Sequence, residues 1–268
     1  MTLRYVDKFE NNGGTVSFTF PTNRYEWDSS QAINQGLVEP VGGSYAHDFN
    51  LKQKRVAAET FRWLAFESSE ANLEAELDEM RQKLYTIGRG KLWMLNSDAS
   101  RRWAYARLGD MPEVRIGPKQ NWHAPVIVKF LRLSDWYSNT ATVSGPTTVT
   151  TSPRTITVNN PGNAAVMNAI ILVEANAAAG ITNLQIENST NGFTFATTRD
   201  SAAGADSLEI DGGAWSVLFN GANDFDKVTL GTAQVGIMQL EPGNNDLIFT
   251  CAGTPNYDVT ITFYPAYH

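Results

Sequence analysis

Cysteine occurs once in 268 residues, at position 251. One thiol excludes an internal disulfide and any cysteine cage around zinc. Its place at the end of an apolar strand pattern reads as a buried, inert core residue. Histidine is almost as scarce: His47, His123 and His268 lie far apart, and the last is terminal. Ser44 and His47 sit close together in "VGGSYAHDF", which reads as a glycine-rich turn before a strand and not as a catalytic pair. The chain lacks a nucleophile elbow G-x-S-x-G, an H-E-x-x-H, a Walker A loop and a strand-anchored G-x-G-x-x-G. No apolar run approaches the roughly 18–20 residues that a membrane helix needs. The opening "MTLRYVDKFENNGG" has no apolar core of signal-peptide length. The expectation is a protein made and folded in a cytoplasm and not exported by that route.

Charge is sparse and unevenly shared. Charged residues make up 18% and hydrophobic residues 42%, the profile of a folded globular chain. Residues 1–137 hold 18 Lys and Arg against 17 Asp and Glu, whereas residues 138–268 hold 3 against 11. The acidic second half would repel nucleic acid, and the first half has no strong basic excess. Between the halves, "SNTATVSGPTTVTTSP" (138–153) carries neither charge nor aromatic ring and reads as a linker or a loosely paired edge segment. The expected organisation is therefore a first domain over 1–137, a linker over 138–153 and a second domain over 154–268.

The first half contains one convincing helix. In "SSEANLEAELDEMRQKLYTIG", Leu73, Leu77, Met80 and Leu84 recur at helical spacing, Ser69 is the candidate N-cap and Gly88 the stop. After it, "KLWML" and "RRWAYARL" flank the turn-like "NSDAS" and predict a hairpin. "APVIVKFLRLSDWY" predicts a long strand, apolar on both faces, as in a covered strand or a subunit contact. Val16, Phe18 and Phe20 alternate in another strand. This domain reads as α+β with one helix. The densest aromatic–basic stretch is Trp93, Arg101, Arg102 and Trp103. It has two readings: a hairpin held by cation–π contacts, or a subunit interface anchored by Trp and Arg.

The second half reads as all-β. About ten short strand patterns, "IMQL" and "DLIFT" among them, follow one another with turn signals between. Asn191-Gly192 and Asn220-Gly221 are hairpin pairs, and "NPGN" (160–163) and "EPGN" (241–244) place Pro and Gly as a type II turn requires. Tyr257, Val259, Ile261 and Phe263 alternate with polar residues, so one face is dry. The layout predicts a two-sheet antiparallel sandwich. Glu209, Asp211, Asn223, Asp224 and Asp226 could serve calcium as hard oxygen ligands, but their spacing fits no twelve-residue loop, and Asp and Asn in turns usually cap backbone. No metal is expected. Trp215 could stack on a sugar, yet it shares strand parity with Val217 and Phe219, which predicts core packing.

The order of the parts is itself informative. "FTFPTNRYEW", "VGGSYAHDF", the helix "NLEAELDEMRQKL", "GKLWMLNSDASRRWAYARL" and "DWY" are followed by "VNNPGNAAVMNAIILVEA", "LEIDGG", "VLFNGAN", "LEPGNNDLIFT" and "TFYPAYH". This series resembles the distal tail protein (Dit) family of long-tailed phages, in its siphophage form, over nearly the whole chain. The resemblance implies a first domain that assembles as a homo-hexameric ring. The ring would join the tail tube protein to the tip or hub protein, with the tape measure protein as a further neighbour. It implies a galectin-like β-sandwich as second domain, a non-enzymatic structural role, no cofactor, and residence at the virion tail tip after assembly in the bacterial cytoplasm. The alternative is a carbohydrate-binding β-sandwich contributing to host-surface attachment. Galectin-type sugar sites use a His, an Asn and an Arg with an opposed Trp. Here the second half has no His before His268, and its only Arg are Arg154 and Arg199, which favours a docking or spacing surface.

Overall fold

The helix forms where its caps and stripe place it. Helix α1 spans Glu70–Ile87; the Ser69 hydroxyl accepts from the Asn72 amide, and Gly88 ends the helix at φ 53° with its N–H bound to the Leu84 carbonyl. Leu73, Leu77, Met80, Leu84 and also Ile87 are buried. A computed structural model describes residues 5–21, 25–31, 57–96, 98–114, 123–231 and 236–268. The Ser44–His47 turn and Trp122 lie outside these. The chain divides into two compact units, Met1–Asn139 and Thr140–His268. Among the described residues no helix is long and apolar enough to cross a membrane.

In the first unit the strands are β1 (Tyr5–Asn11), β2 (Ser17–Thr19), β3 (Tyr25–Gln31), β4 (Ala57–Phe66), β5 (Arg89–Leu95), β6 (Arg101–Val114), β7 (His123–Arg132) and β8 (Trp136–Ser138). They form an antiparallel sheet in the order β2-β1-β5-β6-β7-β4-β3, with β8 beside β6. The sheet curls, because Phe20 after β2 reaches Phe61 of β4 at 4.5 Å between ring centroids. Phe9, Phe20, Phe61 and Phe130 fill the interior, each fully buried or nearly so. A side chain of that kind stabilises by roughly 1.5–3 kcal/mol. The strand predicted from "APVIVKFLRLSDWY" divides into β7 and β8. In β7, Ala124, Val126, Val128 and Phe130 point inward, while Pro125 and Lys129 are exposed. Gly90 is required for strand contact, since a Cβ there would lie 1.9 Å from the Glu10 carbonyl oxygen of β1.

The second unit is a sandwich of two antiparallel sheets, as the strand patterns predict. Its strands are β9 (Thr142–Val149), β10 (Arg154–Asn160), β11 (Ile170–Ala175), β12 (Gln185–Asn188), β13 (Phe193–Thr197), β14 (Ser207–Asp211), β15 (Ser216–Phe219), β16 (Ala222–Asn223), β17 (Val228–Leu230), β18 (Gly243–Thr250) and β19 (Tyr257–Phe263). One sheet runs β10-β18-β12-β13-β17, the other β16-β15-β14-β11-β19-β9. Tyr257, Val259, Ile261 and Phe263 are all buried. Asn220 and Gly221, at φ 51° and 76°, join β15 to β16 in the two-residue turn that Asn-Gly favours. Cys251 is buried, and burial raises its thiol pKa.

Of the two readings of 138–153, linker or paired edge segment, residues 142–149 take the second and form β9 at a sheet edge, paired with β19. Three expectations change. "IMQL" is not a strand: among the described residues its β-pairing is one isolated bridge, Val166 to Leu240, so "LEPGNN" opens β18 without closing a hairpin. Gly243 has the positive φ of 88° that a type II turn needs, but Gly162 does not. Gly162 is there for close approach, since a Cβ would sit 2.1 Å from the Ala266 carbonyl oxygen. Asn191-Gly192 belongs to a longer loop in which both amides return to the Asn188 carbonyl.

Candidate functional site

The predicted hairpin places the two tryptophans in one cross-strand row. Between β5 and β6 the Asn96 amide donates to the Ser100 carbonyl, and Ala99 has φ 66°. Registration then sets Trp93 opposite Trp103. Lys8 of β1 lies beside Trp93, and Tyr137 of β8 beside Trp103, so the row crosses four strands. The next row is Glu10, Lys91 and Tyr105.

These side chains bind each other. The Lys8 ammonium lies 5.3 Å from the Trp93 ring centroid and 2.6 Å from a Glu10 carboxylate oxygen. The Trp93 indole N–H donates to Glu10 Oε1 at 2.6 Å. The Lys91 ammonium stands 4.6 Å above Trp103, which packs on Tyr105 and Tyr137 with centroids at 5.1 and 4.8 Å. Burial, with Asp135 assisting, pushes the Tyr137 hydroxyl up to about 12. The expected cation–π contacts are therefore present, but lysines supply them. Sequence reading missed Lys8, Glu10, Lys91, Tyr105 and Tyr137.

The two arginines separate. Arg101 keeps the parity of Trp103 and donates to Asp7 Oδ2 at 2.6 Å. Asp7 sits where the β1–β5 register shifts. Burial raises its pKa and the Arg101 charge pulls it back. A raised folded pKa means that ionised Asp7 costs stability at neutral pH, a cost that fades as pH falls through the folded value. Asp7 Oδ1 has no hydrogen-bond partner among the described residues. Arg102 has the other parity, opposite the buried Met94. Of the four candidates, Trp93, Arg101 and Trp103 share a face and Arg102 does not.

In the second unit Asp211 and Asp224, two of the residues weighed as calcium ligands, bind within the protein. Asp211 Oδ1 accepts the Gly213 and Ala214 amides at 2.7 and 2.9 Å. The buried Asp224 carboxylate accepts from Nε and Nη2 of the Arg199 guanidinium, which lies 4.7 Å from the Phe219 ring centroid. Trp215 departs from its predicted core position. It is 54% exposed and ends the Asp211 turn at φ 55°, because the capped turn occupies residues 212–215 and strand alternation begins only at Ser216.

Residues 162–267 match the family described as siphovirus-type tail component, C-terminal domain. No curated protein matches the chain. Among solved structures, the Dit protein of phage SPP1, described as a paradigm of the hub adsorption apparatus in phages infecting Gram-positive bacteria, superposes with a TM-score of 0.58 at 16% identity; 98% of this chain and 97% of that one are covered. The phage p2 baseplate in its activated, strontium-bound conformation gives a TM-score of 0.44 at 9% identity, over 96% of this chain and 98% of that one. Residues 162–267 are thus similar to the C-terminal domain of siphovirus-type tail components, and the chain as a whole has the fold of the SPP1 Dit protein.

Proposed function

We propose that this chain is a structural, non-enzymatic protein of a siphophage tail tip. Its first unit forms a homo-hexameric ring joining the tail tube to the tip or hub protein, with the tape measure protein as a further neighbour. Assembly takes place in the host cytoplasm. One observation carries this reading: the family match of the second unit falls within a chain that has the distal tail protein fold from end to end. A closed ring presents one interface repeatedly, which suits a joint around a tube. Light scattering and negative-stain imaging of the full chain should give a mass six times that of the monomer and six-fold particles. A monomer at high concentration that also forms no ring with tube protein refutes the proposal.

The exposed Trp215 favours a second reading, in which the sandwich contacts host sugar. Its indole stands outward on a capped turn at a backbone conformation that costs about 1–3 kcal/mol. Calorimetric titration of the full chain with host wall polysaccharide decides. A docking or spacing sandwich gives no heat. A sugar site gives binding that Trp215→Ala abolishes.

A further inference from the structure

We propose that the two ends of helix α1 carry the opposite halves of a head-to-tail contact between copies of this chain. The inference rests on the ring reading above and names its surfaces.

The first half is basic. Registration sets Arg89 of β5 directly opposite Arg107 of β6, and both are exposed. Like charges placed opposite each other across strands are destabilising. Neither guanidinium has an ion-pair partner among the described residues. Tyr85, in the last helical turn before this pair, is 75% exposed. Arginine with an aromatic side chain is the composition enriched where proteins meet.

The second half is acidic. Glu70, Glu74 and Glu76 line the exposed N-terminal part of α1, and none has a salt-bridge partner among the described residues. Glu70 and Glu74 are four residues apart, a repulsive helical spacing. Glu76 titrates above its usual value, first through burial and then through Glu67 and Glu79. Farther along, Asp78 and Glu79 are paired with Arg81 and Lys83. Of these acids Glu76 borders a cavity of about 430 Å³, which is also lined by Phe18, Trp63, Leu64, Phe66 and the Glu79–Lys83 pair. Phe66 is 62% exposed. The helix dipole accounts for Glu70 in the first turn. It does not account for two opposed arginines or for acids further along the helix.

The charges cannot satisfy each other within one copy. Arg89 lies just beyond the C-terminal end of α1, and Glu76, the nearest of the acids in sequence, is about 20 Å away along the helix axis. A second copy placed head to tail brings the arginine pair of one against the acids of the next. Repetition of such a heterologous contact closes a ring when the rotation allows it.

Charge reversal of the full chain tests this. Arg89→Glu with Arg107→Glu, and separately Glu74→Lys with Glu76→Lys, should each raise the concentration at which monomers associate by at least about tenfold. All four residues are exposed, so circular dichroism and melting should stay at wild-type values. Mixing the two variants in equal amounts should restore rings of alternating copies, because every contact then joins opposite charges. A wild-type ring that both variants form equally well overturns the inference and leaves the ring reading standing. So does a mixture that fails to reassemble. A wild-type protein that never associates overturns both.

Discussion

Arg132→Met should destabilise the first unit by about 3–5 kcal/mol, because it removes the cation paired with the buried Glu59 carboxylate. Glu59 is fully buried on β4, and Arg132 of β7 donates from Nε to its Oε1 at 2.9 Å. The same guanidinium donates from Nη1 to the Ser134 carbonyl and lies 5.5 Å from the Trp136 ring centroid. One side chain therefore ties β4, β7 and the approach to β8 together. Water cannot reach Glu59 to replace the lost partner, which is why the cost is a charge-burial cost and not that of one hydrogen bond. The double change Glu59→Leu with Arg132→Met should recover most of the loss, since a buried pair is often dispensable when both members are replaced by apolar groups. Urea unfolding followed by tryptophan fluorescence reads the effect, as six of the seven Trp lie in this half. A shift in midpoint at unchanged slope is the expected form. A loss under about 1 kcal/mol would show that Glu59 is not left as a buried charge.

What the sequence made legible follows the range of the forces involved. Helix α1 could be placed from its own residues, because its cap, stripe and stop are local. The Asn220-Gly221 turn and the dry face of β19 were legible for the same reason. Where local signals failed, a partner distant in sequence had taken over. Pro161-Gly162 looks like a type II turn, yet Gly162 serves the close approach of the Ala266 carbonyl. Val149 closes the edge strand β9 only because Tyr257 lies beside it. The candidate site divides along the same line. Trp93 and Trp103 stood out by composition. Glu10, which accepts the Trp93 indole N–H, is 83 residues away, and only strand registration brings it there. The Arg89–Arg107 opposition is likewise a product of register. No spacing rule within either strand contains it.

The stretch "EPGNN" supplies the second large effect. Asn245→Leu should destabilise the second unit by about 3 kcal/mol, although the swap is apolar and similar in size. The Asn245 side chain is fully buried. Its Oδ1 accepts the Glu241 amide at 2.8 Å and the Asn188 Nδ2 at 3.1 Å, and its Nδ2 donates to the Glu241 and Gly243 carbonyls at 2.8 and 3.1 Å. Asn188 in turn donates to the Gln239 carbonyl at 2.7 Å and accepts the Thr190 amide. Asn160 reaches the Leu240 carbonyl from the other side, at 3.3 Å. Residues 236–241 form no strand, so these three buried amides do the work of a ladder and satisfy backbone groups that burial would otherwise leave unpaired. Leucine removes four of the bonds at once and offers none. Asn244, exposed and with a side chain bonded only to Asn159 among the described residues, provides the contrast: Asn244→Ala should change stability by no more than about 0.5 kcal/mol. Hydrogen exchange separates the two outcomes further. Val166 and Leu240 exchange hydrogen bonds across the β-bridge in this segment. In Asn245→Leu their amides should lose protection ahead of those in β18 and β19, because the segment would detach before the sheets separate. Equal loss at all sites would mean that the network stabilises the whole sandwich and does not specifically pin this strap.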